Sequence, residues 1–267
     1  MRPAVSVTRS AWRRGELADG ERLIPEEVVV TLSYDGCARA STTATPQDLE
    51  DLALGFSLTE GIASTVEDIR GFEIVEGEIG IQLRISMSDR RGIRYRYPTD
   101  PTGFGRGGID SLDEALVAPR RVRDGQLFTP GEIMRALEAL ANGQEINRQT
   151  RAVHAAAFWQ PGSGLITLRE DVGRHNALDK LGGAMARQGI PLRGGMALLT
   201  SRISARMVQK AAMLDVPLLI GGLAPTALAV RMAQAADITL IAIARGDGFE
   251  IFTHPKRVAK ERIVHVA

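Results

Sequence analysis

The chain holds a single cysteine, Cys37, among 267 residues. One thiol cannot close an intrachain disulfide or build a multi-cysteine metal site, so the cysteine count gives no sign of an oxidising compartment. Long apolar runs are missing too. None approaches the roughly 18 residues that span a bilayer, and residues 1–22, with Arg13, Arg14 and several acids, contain no secretory apolar stretch. Charge of either sign is not in excess: 33 basic side chains stand against 32 acidic ones, a formal net charge of +1. A dedicated duplex-DNA protein, or one bound to anionic membranes, needs a concentrated basic surplus. Neither nucleic acid nor membrane is therefore expected as a partner, and the chain reads as cytoplasmic.

Several reaction types fall away on the same ground. His154, His175, His254 and His265 show no H-E-x-x-H spacing. The zinc-deaminase pair H-x-E and P-C-x-x-C is absent. A Ser–His–Asp site from Ser201 or Ser204 with His154 or His175 has no G-x-S-x-G elbow behind it. What is present is an ordinary globular composition, 44% hydrophobic and 24% charged, in a chain able to bury roughly three quarters of its unfolded surface.

Residues 1–25 are polar and without periodicity, and read as a partly ordered arm. Residues 28–33 are rich in β-branched side chains and read as a strand closed by Tyr34, Asp35 and Gly36. Thr45 offers an N-cap and Pro46 the first position of a helix with Leu49, Leu52 and Phe56 on one face, ended by Gly61. Two or three strands, one at 79–87, precede a break at Pro98 and Pro101. Gly103, Gly105 and Gly108 match G-x-G-x-x-G, but prolines stand where a feeding strand should end, so a flexible glycine loop is the plainer reading than a dinucleotide site. The clusters Arg90, Arg91, Arg94, Arg96 and Arg120, Arg121, Arg123 read either as solvated faces or as contacts to an anionic partner.

From residue 129 the pattern sharpens. Thr129, Pro130 and Glu132 form a capping box for a helix with the stripe Ile133, Leu137 and Leu140, ending near Gly143. Strands at 152–159 and 164–168 make a hairpin. Three helix–strand units follow: 175–187 with 196–199, 203–214 with 217–220, and 225–235 with 238–244. Such alternation predicts an α/β fold with a largely parallel sheet covered by helices. The order is also that of cytidine-deaminase-like folds. Residues 126–267 are accordingly expected as a deaminase-like mixed sheet with helices on both faces, after an arm at 1–25 and a smaller N-terminal α+β subdomain at 26–125.

Open α/β sheets bind ligands beyond the carboxyl ends of their strands, where helix N-termini present free N–H groups. Four such ends here are loaded. They carry Arg169, Glu170, Asp171, Gly173, Arg174, His175 and Asn176; then Thr200, Ser201, Arg202 and Ser204; then Pro225 and Thr226; then Ile243, Ala244, Arg245, Gly246, Asp247 and Gly248. Forked arginines, short hydroxyls and small glycines describe an anion pocket. Both signs are expected in it, with Glu170, Asp171 and Asp179 beside Arg169, Arg174 and Lys180, so that a ligand with phosphates and a purine-like or pterin-like ring uses both. His175 and Asp179, four apart on one helix face, form either a His–carboxylate pair or a local bond fixing the helix start. A purine-nucleotide hydrolase or transferase with His154 or His175 as general base is a rival reading.

The unbroken run from Arg169 to Lys180, preceded by Val153 and His154, closely resembles the FdhD (NarQ) family of formate dehydrogenase accessory proteins. So do Thr200 to Ser204, Ala224 to Thr226, and Phe252 to Arg257. Thr45, Pro46, Asp48, Leu49, Leu52, Gly55, Phe56, Thr59, Glu60, Gly61 and Ile62 match its N-terminal signature. The resemblance implies a cytoplasmic homodimer that binds the molybdenum or tungsten bis-pterin guanine dinucleotide cofactor, with a GDP-like nucleotide as mimic. It implies sulfur received as a persulfide from a cysteine desulfurase and passed to the metal, for the catalytic subunit of formate dehydrogenase. The family's cofactor-binding stretch falls on residues 243–248, and no metal ligand is implied. One departure matters. The family's C-x-x-C pair falls in the glycine loop, where Phe104 and Gly107 stand, and neither forms a thiolate. No catalytic residue is assigned for that reason, and a cofactor-binding chaperone without sulfur transfer stands as the alternative. Ser201 replaces a usual Gly and Arg206 a usual Glu.

Overall fold

Residues 1–88, 120–123 and 125–259 are described in the computed structural model. The glycine loop at 103–108 with Phe104 and Gly107, the cluster from Arg90 to Arg96, and His265 lie outside the described residues. The helices are α1 (Leu49–Thr59), α2 (Pro130–Gly143), α3 (Glu145–Thr150), α4 (Arg174–Arg187), α5 (Ala205–Met213) and α6 (Ala227–Ala235).

The first 25 residues are not an irregular arm. They form a hairpin of β1 (Ala4–Arg13) and β2 (Glu16–Pro25), joined by Arg14 and Gly15 at φ 52° and 91°, the left-handed pair that a two-residue hairpin turn requires. No residue of either strand is fully buried. The main chain pairs fully here although the side chains of β2 show no alternation.

A four-stranded sheet follows, made of β3 (Val28–Tyr34), β4 (Cys37–Ala44), β5 (Ile69–Glu76) and β6 (Ile81–Met87) in the order β4-β3-β6-β5. Val30, Leu32, Ile81, Leu83 and Ile85 alternate onto one face and pack against Leu52 and Phe56 of α1. That helix starts at Leu49, three residues later than Thr45 and Pro46 suggest, because Asp48 sits in the left-handed region at φ 53° and breaks any earlier turn. The Thr45 hydroxyl instead accepts from the Val172 N–H, 3.1 Å away.

The second sheet has the order β12-β11-β10-β9-β7-β8, with β7 (His154–Gln160), β8 (Gly164–Asp171), β9 (Met196–Leu199), β10 (Leu218–Gly221), β11 (Thr239–Arg245) and β12 (Gly248–Ile251). It is mixed, as expected of residues 126–267, and not largely parallel as the helix–strand alternation alone suggests. The hairpin strand β7 inserts between β8 and β9 antiparallel to both, and β12 turns back on β11, while β8 to β11 all run one way. Ala156, Phe158, Ala197, Leu199, Leu219 and Leu240 face α4, α5 and α6; Ala155, Ala157, Met196, Leu198, Leu218 and Ile220 face α2. The box expected at α2 is formed, Glu132 N–H donating to the Thr129 hydroxyl at 3.2 Å and Thr129 N–H to the Glu132 carboxylate at 2.8 Å.

Two glycines join the sheets. A Cβ on Gly55 of α1 would stand 1.7 Å from the Asp179 carbonyl, and one on Gly183 of α4 would stand 2.0 Å from the Asp51 carbonyl. The helix backbones touch where no side chain fits.

Candidate functional site

Because β8 to β11 share a direction, the loops after them open at one edge of the sheet, and β7 begins there, with His154 in register with Asp171. Hydrogen bonds tie the loops together. Ala155 N–H donates to the Thr200 hydroxyl (2.9 Å), Gly222 N–H to Leu199 O (3.0 Å) and Thr226 N–H to Ile203 O (3.0 Å). Thr226 caps α6 by accepting from Ala229 N–H at 3.2 Å, and Ser204 stands at the N-cap of α5 without a capping bond.

Most of the charges at this edge are engaged inward. Asp171 is fully buried, 2.6 Å from the Lys180 ammonium, and accepts from the Thr45 and Gly173 N–H groups and from Asn176 Nδ2. Lys180 also donates to Thr45 O at 2.9 Å and Asn176 to Thr43 O at 2.8 Å, which fastens α4 to the chain leaving β4. Glu170 accepts from Ile146 and Asn147 N–H (2.7 and 2.8 Å) at the start of α3. Arg169 donates to Asp51 at 2.8 Å and lies 3.6 Å from Asp48. Asp179 accepts from Thr59 at 2.6 Å and from Lys210 at 2.9 Å on both oxygens, rather than from His175. Lys210 reaches on to Glu60 at 2.6 Å, which also binds Arg206. Thr59 and Glu60 stand in the sequence only as part of the N-terminal signature and Lys210 is not singled out there; its one signal is a lysine inside the apolar stripe Met207, Val208, Ala211.

What faces outward is smaller in number and, apart from Asp247, cationic or neutral. Among the described residues no carboxylate pairs with Arg174, Arg202 or Arg245, which come from three different strand ends. Three buried polar atoms lack a hydrogen-bond partner at this edge: Arg174 Nε, His175 Nε2 and Ser204 Oγ. Each such atom costs about 1–3 kcal/mol unless something binds it. Burial, reinforced by Arg174, Lys210 and Arg206 against the pull of Glu60, holds the His175 imidazole down to about 3, so it is neutral. Burial and Arg174 lower His154 in the same way, against Asp171. Asp247 is the exposed carboxylate of the last loop.

In that loop Ile243 sits at φ 51°, inside a bulge where the β11–β12 register shifts between Ala242 and Arg245. A β-branched residue there is strained by about 1–3 kcal/mol. Ala244 is buried in the core against α2, so this loop offers backbone and Arg245, Gly246, Asp247 and Gly248 to a ligand. Ser201 is buried and donates to Arg202 O at 3.2 Å; Pro225 is half-buried. A groove of about 550 Å³ is lined by Asp48, Arg169 and Arg187, and one of about 1230 Å³ by Arg70 and Arg84. Among the described residues no group of three His, Cys, Asp or Glu is placed to hold a metal, and no helix is long and apolar enough to cross a membrane.

Known proteins share this fold and much of this sequence. A crystal structure assigned to a formate dehydrogenase accessory protein from Desulfotalea psychrophila superposes with a TM-score of 0.78 at 22% identity, over 96% of this chain and 99% of that one, which establishes the fold. The protein named sulfur carrier protein FdhD from Agrobacterium fabrum is 46% identical over 94% of this chain and 95% of its own. Its namesakes from Brucella abortus and Cupriavidus necator are 44% and 41% identical over the same share of this chain, and 96% and 89% of theirs. The model of the FdhD/NarQ family matches residues 25–259, from the last residue of the hairpin, through both sheets, to the last residue described. With its strand-end loops, its fold and its full-length relatives in agreement, the chain belongs to the FdhD/NarQ family.

Proposed function

We propose that the chain is a formate dehydrogenase accessory protein that binds a bis-pterin guanine dinucleotide cofactor of molybdenum or tungsten as cargo at the strand-end edge and presents it to the catalytic subunit. The carrying observation is the set Arg174 Nε, His175 Nε2 and Ser204 Oγ, buried polar atoms left without partners among the described residues at one edge, beside arginines that no described carboxylate neutralises. A ligand with diphosphates suits such a set, since forked guanidinium donors and helix N-termini both favour phosphate oxygens. Neutral imidazoles add hydrogen bonding without charge. Glu170, Asp171 and Asp179 hold the protein itself together, which leaves Asp247 to accept from the N–H edge of guanine.

Isothermal titration with GDP and with ADP tests this reading. GDP is expected to bind and ADP to bind more weakly. Negligible heats for both would remove the guanine-dinucleotide assignment.

A further inference from the structure

The hairpin β1–β2 stands outside the stretch that defines the family, which begins at its last residue, Pro25. Its pairing runs without a bulge from Ala4↔Pro25 to Arg13↔Glu16, so alternate residues fall on opposite faces. One face carries Arg9, Arg13 and Arg22. Arg22 donates to Thr150 O at 3.2 Å, and Thr150 precedes His154 by four residues, so the base of the ribbon lies within about 14 Å of chain from the strand-end edge.

The other face is exposed at each of its positions from Ser6 to Trp12 on β1 and from Leu17 to Leu23 on β2. Trp12 and Leu17 oppose each other beside the turn, each 71% exposed. A paired tryptophan and leucine held in water at the tip of an arm is a contact surface in waiting, because large aromatic side chains are the usual anchors of protein interfaces. Asp19 and Glu21 continue the same face, about 6.6 Å apart at two residues of strand. Ser10 donates to Asp19, and Ser6 to Glu21 at 3.0 Å, which fixes both carboxylates. Among the described residues neither has an ion-pair partner, and no Lys or Arg shares their face.

We propose that this face of the hairpin docks a basic, extended segment of the protein that receives the cargo; that this protein is the catalytic subunit of formate dehydrogenase rests on the reading above. An extended segment repeats its side chains at the spacing of Asp19 and Glu21, so alternate Lys or Arg residues meet both carboxylates while another cation stacks on the indole of Trp12. Charge excludes other occupants. A second copy laid face to face sets carboxylate against carboxylate, and the phosphates of nucleic acid or anionic lipid are repelled in the same way. The base of the arm, beside the strand-end edge, brings the partner to the place where the cargo leaves.

The test measures binding of the full chain to the immobilised catalytic subunit at about 50 and about 300 mM salt, where charge attraction is weakly and strongly screened. Wild type is expected to bind, and more tightly at low salt. Trp12→Ala is expected to bind at least about tenfold more weakly, as the loss of an aromatic anchor requires. The double variant Asp19→Lys with Glu21→Lys should lose at least about tenfold at low salt, while Arg9→Ser on the opposite face stays within about twofold. None of these side chains is fully buried, so the melting temperatures are expected to agree. No binding by wild type, or equal binding by every variant, overturns the proposal. So does sedimentation that shows self-association abolished by Trp12→Ala, which gives the face to a second copy. GDP heats, expected to be the same for wild type and Trp12→Ala, report on the cofactor site alone, so the two readings fail independently.

Discussion

Arg174 stands at the first turn of α4 with no carboxylate among the described residues to neutralise it, while its neighbours Arg169 and Lys180 are fully engaged. Arg174→Ala should therefore weaken GDP binding by about 1.5–3 kcal/mol, the loss of a charge-assisted phosphate contact. Calorimetry giving an unchanged affinity would make Arg174 a structural residue. The next residue yields a pH dependence. Folded His175 titrates near 3 against an ordinary 6.5, so below about 6.5 the unfolded chain takes up a proton that the folded chain does not. Its contribution to stability is full above 6.5 and is lost as the pH falls toward 3, by up to about 1.4 kcal/mol per unit. Burial works against it, but Lys210 and Arg206 hold Glu60 below its ordinary 4.5, and that contribution fades only at lower pH. Urea midpoints measured between pH 6.5 and 4.5 should fall more steeply for wild type than for His175→Asn; parallel curves would show that the imidazole is freely solvated.

Among the elements, the contact of α1 with α4 has the least tolerance. Gly55→Ala puts a methyl group 1.7 Å from a carbonyl oxygen that a helix holds in place, and the expected result is loss of folded protein or of more than about 4 kcal/mol. Thr129→Ala, which only removes a cap, should cost about 1 kcal/mol. Comparable melting temperatures for the two variants would refute the close-packing argument. Elements of this kind differ in how openly the sequence announces them. The capping box of α2, the hairpin β7–β8 and the three helix–strand units stand where periodicity and turn residues place them, because the helices bury one stripe and the central strands are short apolar runs buried on both faces. The hairpin β1–β2 escapes such a reading, since a ribbon with no fully buried residue needs no alternation. The start of α1 is misjudged because a left-handed Asp48 leaves no mark on composition. At the site, the residue types are visible in the sequence but their engagement is not: Asp51, which binds Arg169, Thr59, which binds Asp179, and Thr45, which binds Asp171, lie 118, 120 and 126 residues from them. Only the folded chain reveals which charges remain for a ligand.

On the scale of the whole molecule, one stretch of chain serves two ends. Between Arg169 and Lys180, the side chains of Arg169, Glu170, Asp171, Asn176, Asp179 and Lys180 fasten β8 and α4 to β4, α1, α3 and α5, while, among the described residues, Arg174 and His175 alone in this run keep buried polar atoms without a partner. Removing one partner of a buried pair such as Asp171–Lys180 destabilises by about 3–5 kcal/mol, which is a large part of what a domain has to lose. Selection for folding by itself would preserve most of this run in a descendant that had ceased to bind anything. Recognising the run in a genome therefore certifies an architecture, and the claim that such a gene product still serves an enzyme has to be settled at Arg174, His175 and the thiols, position by position.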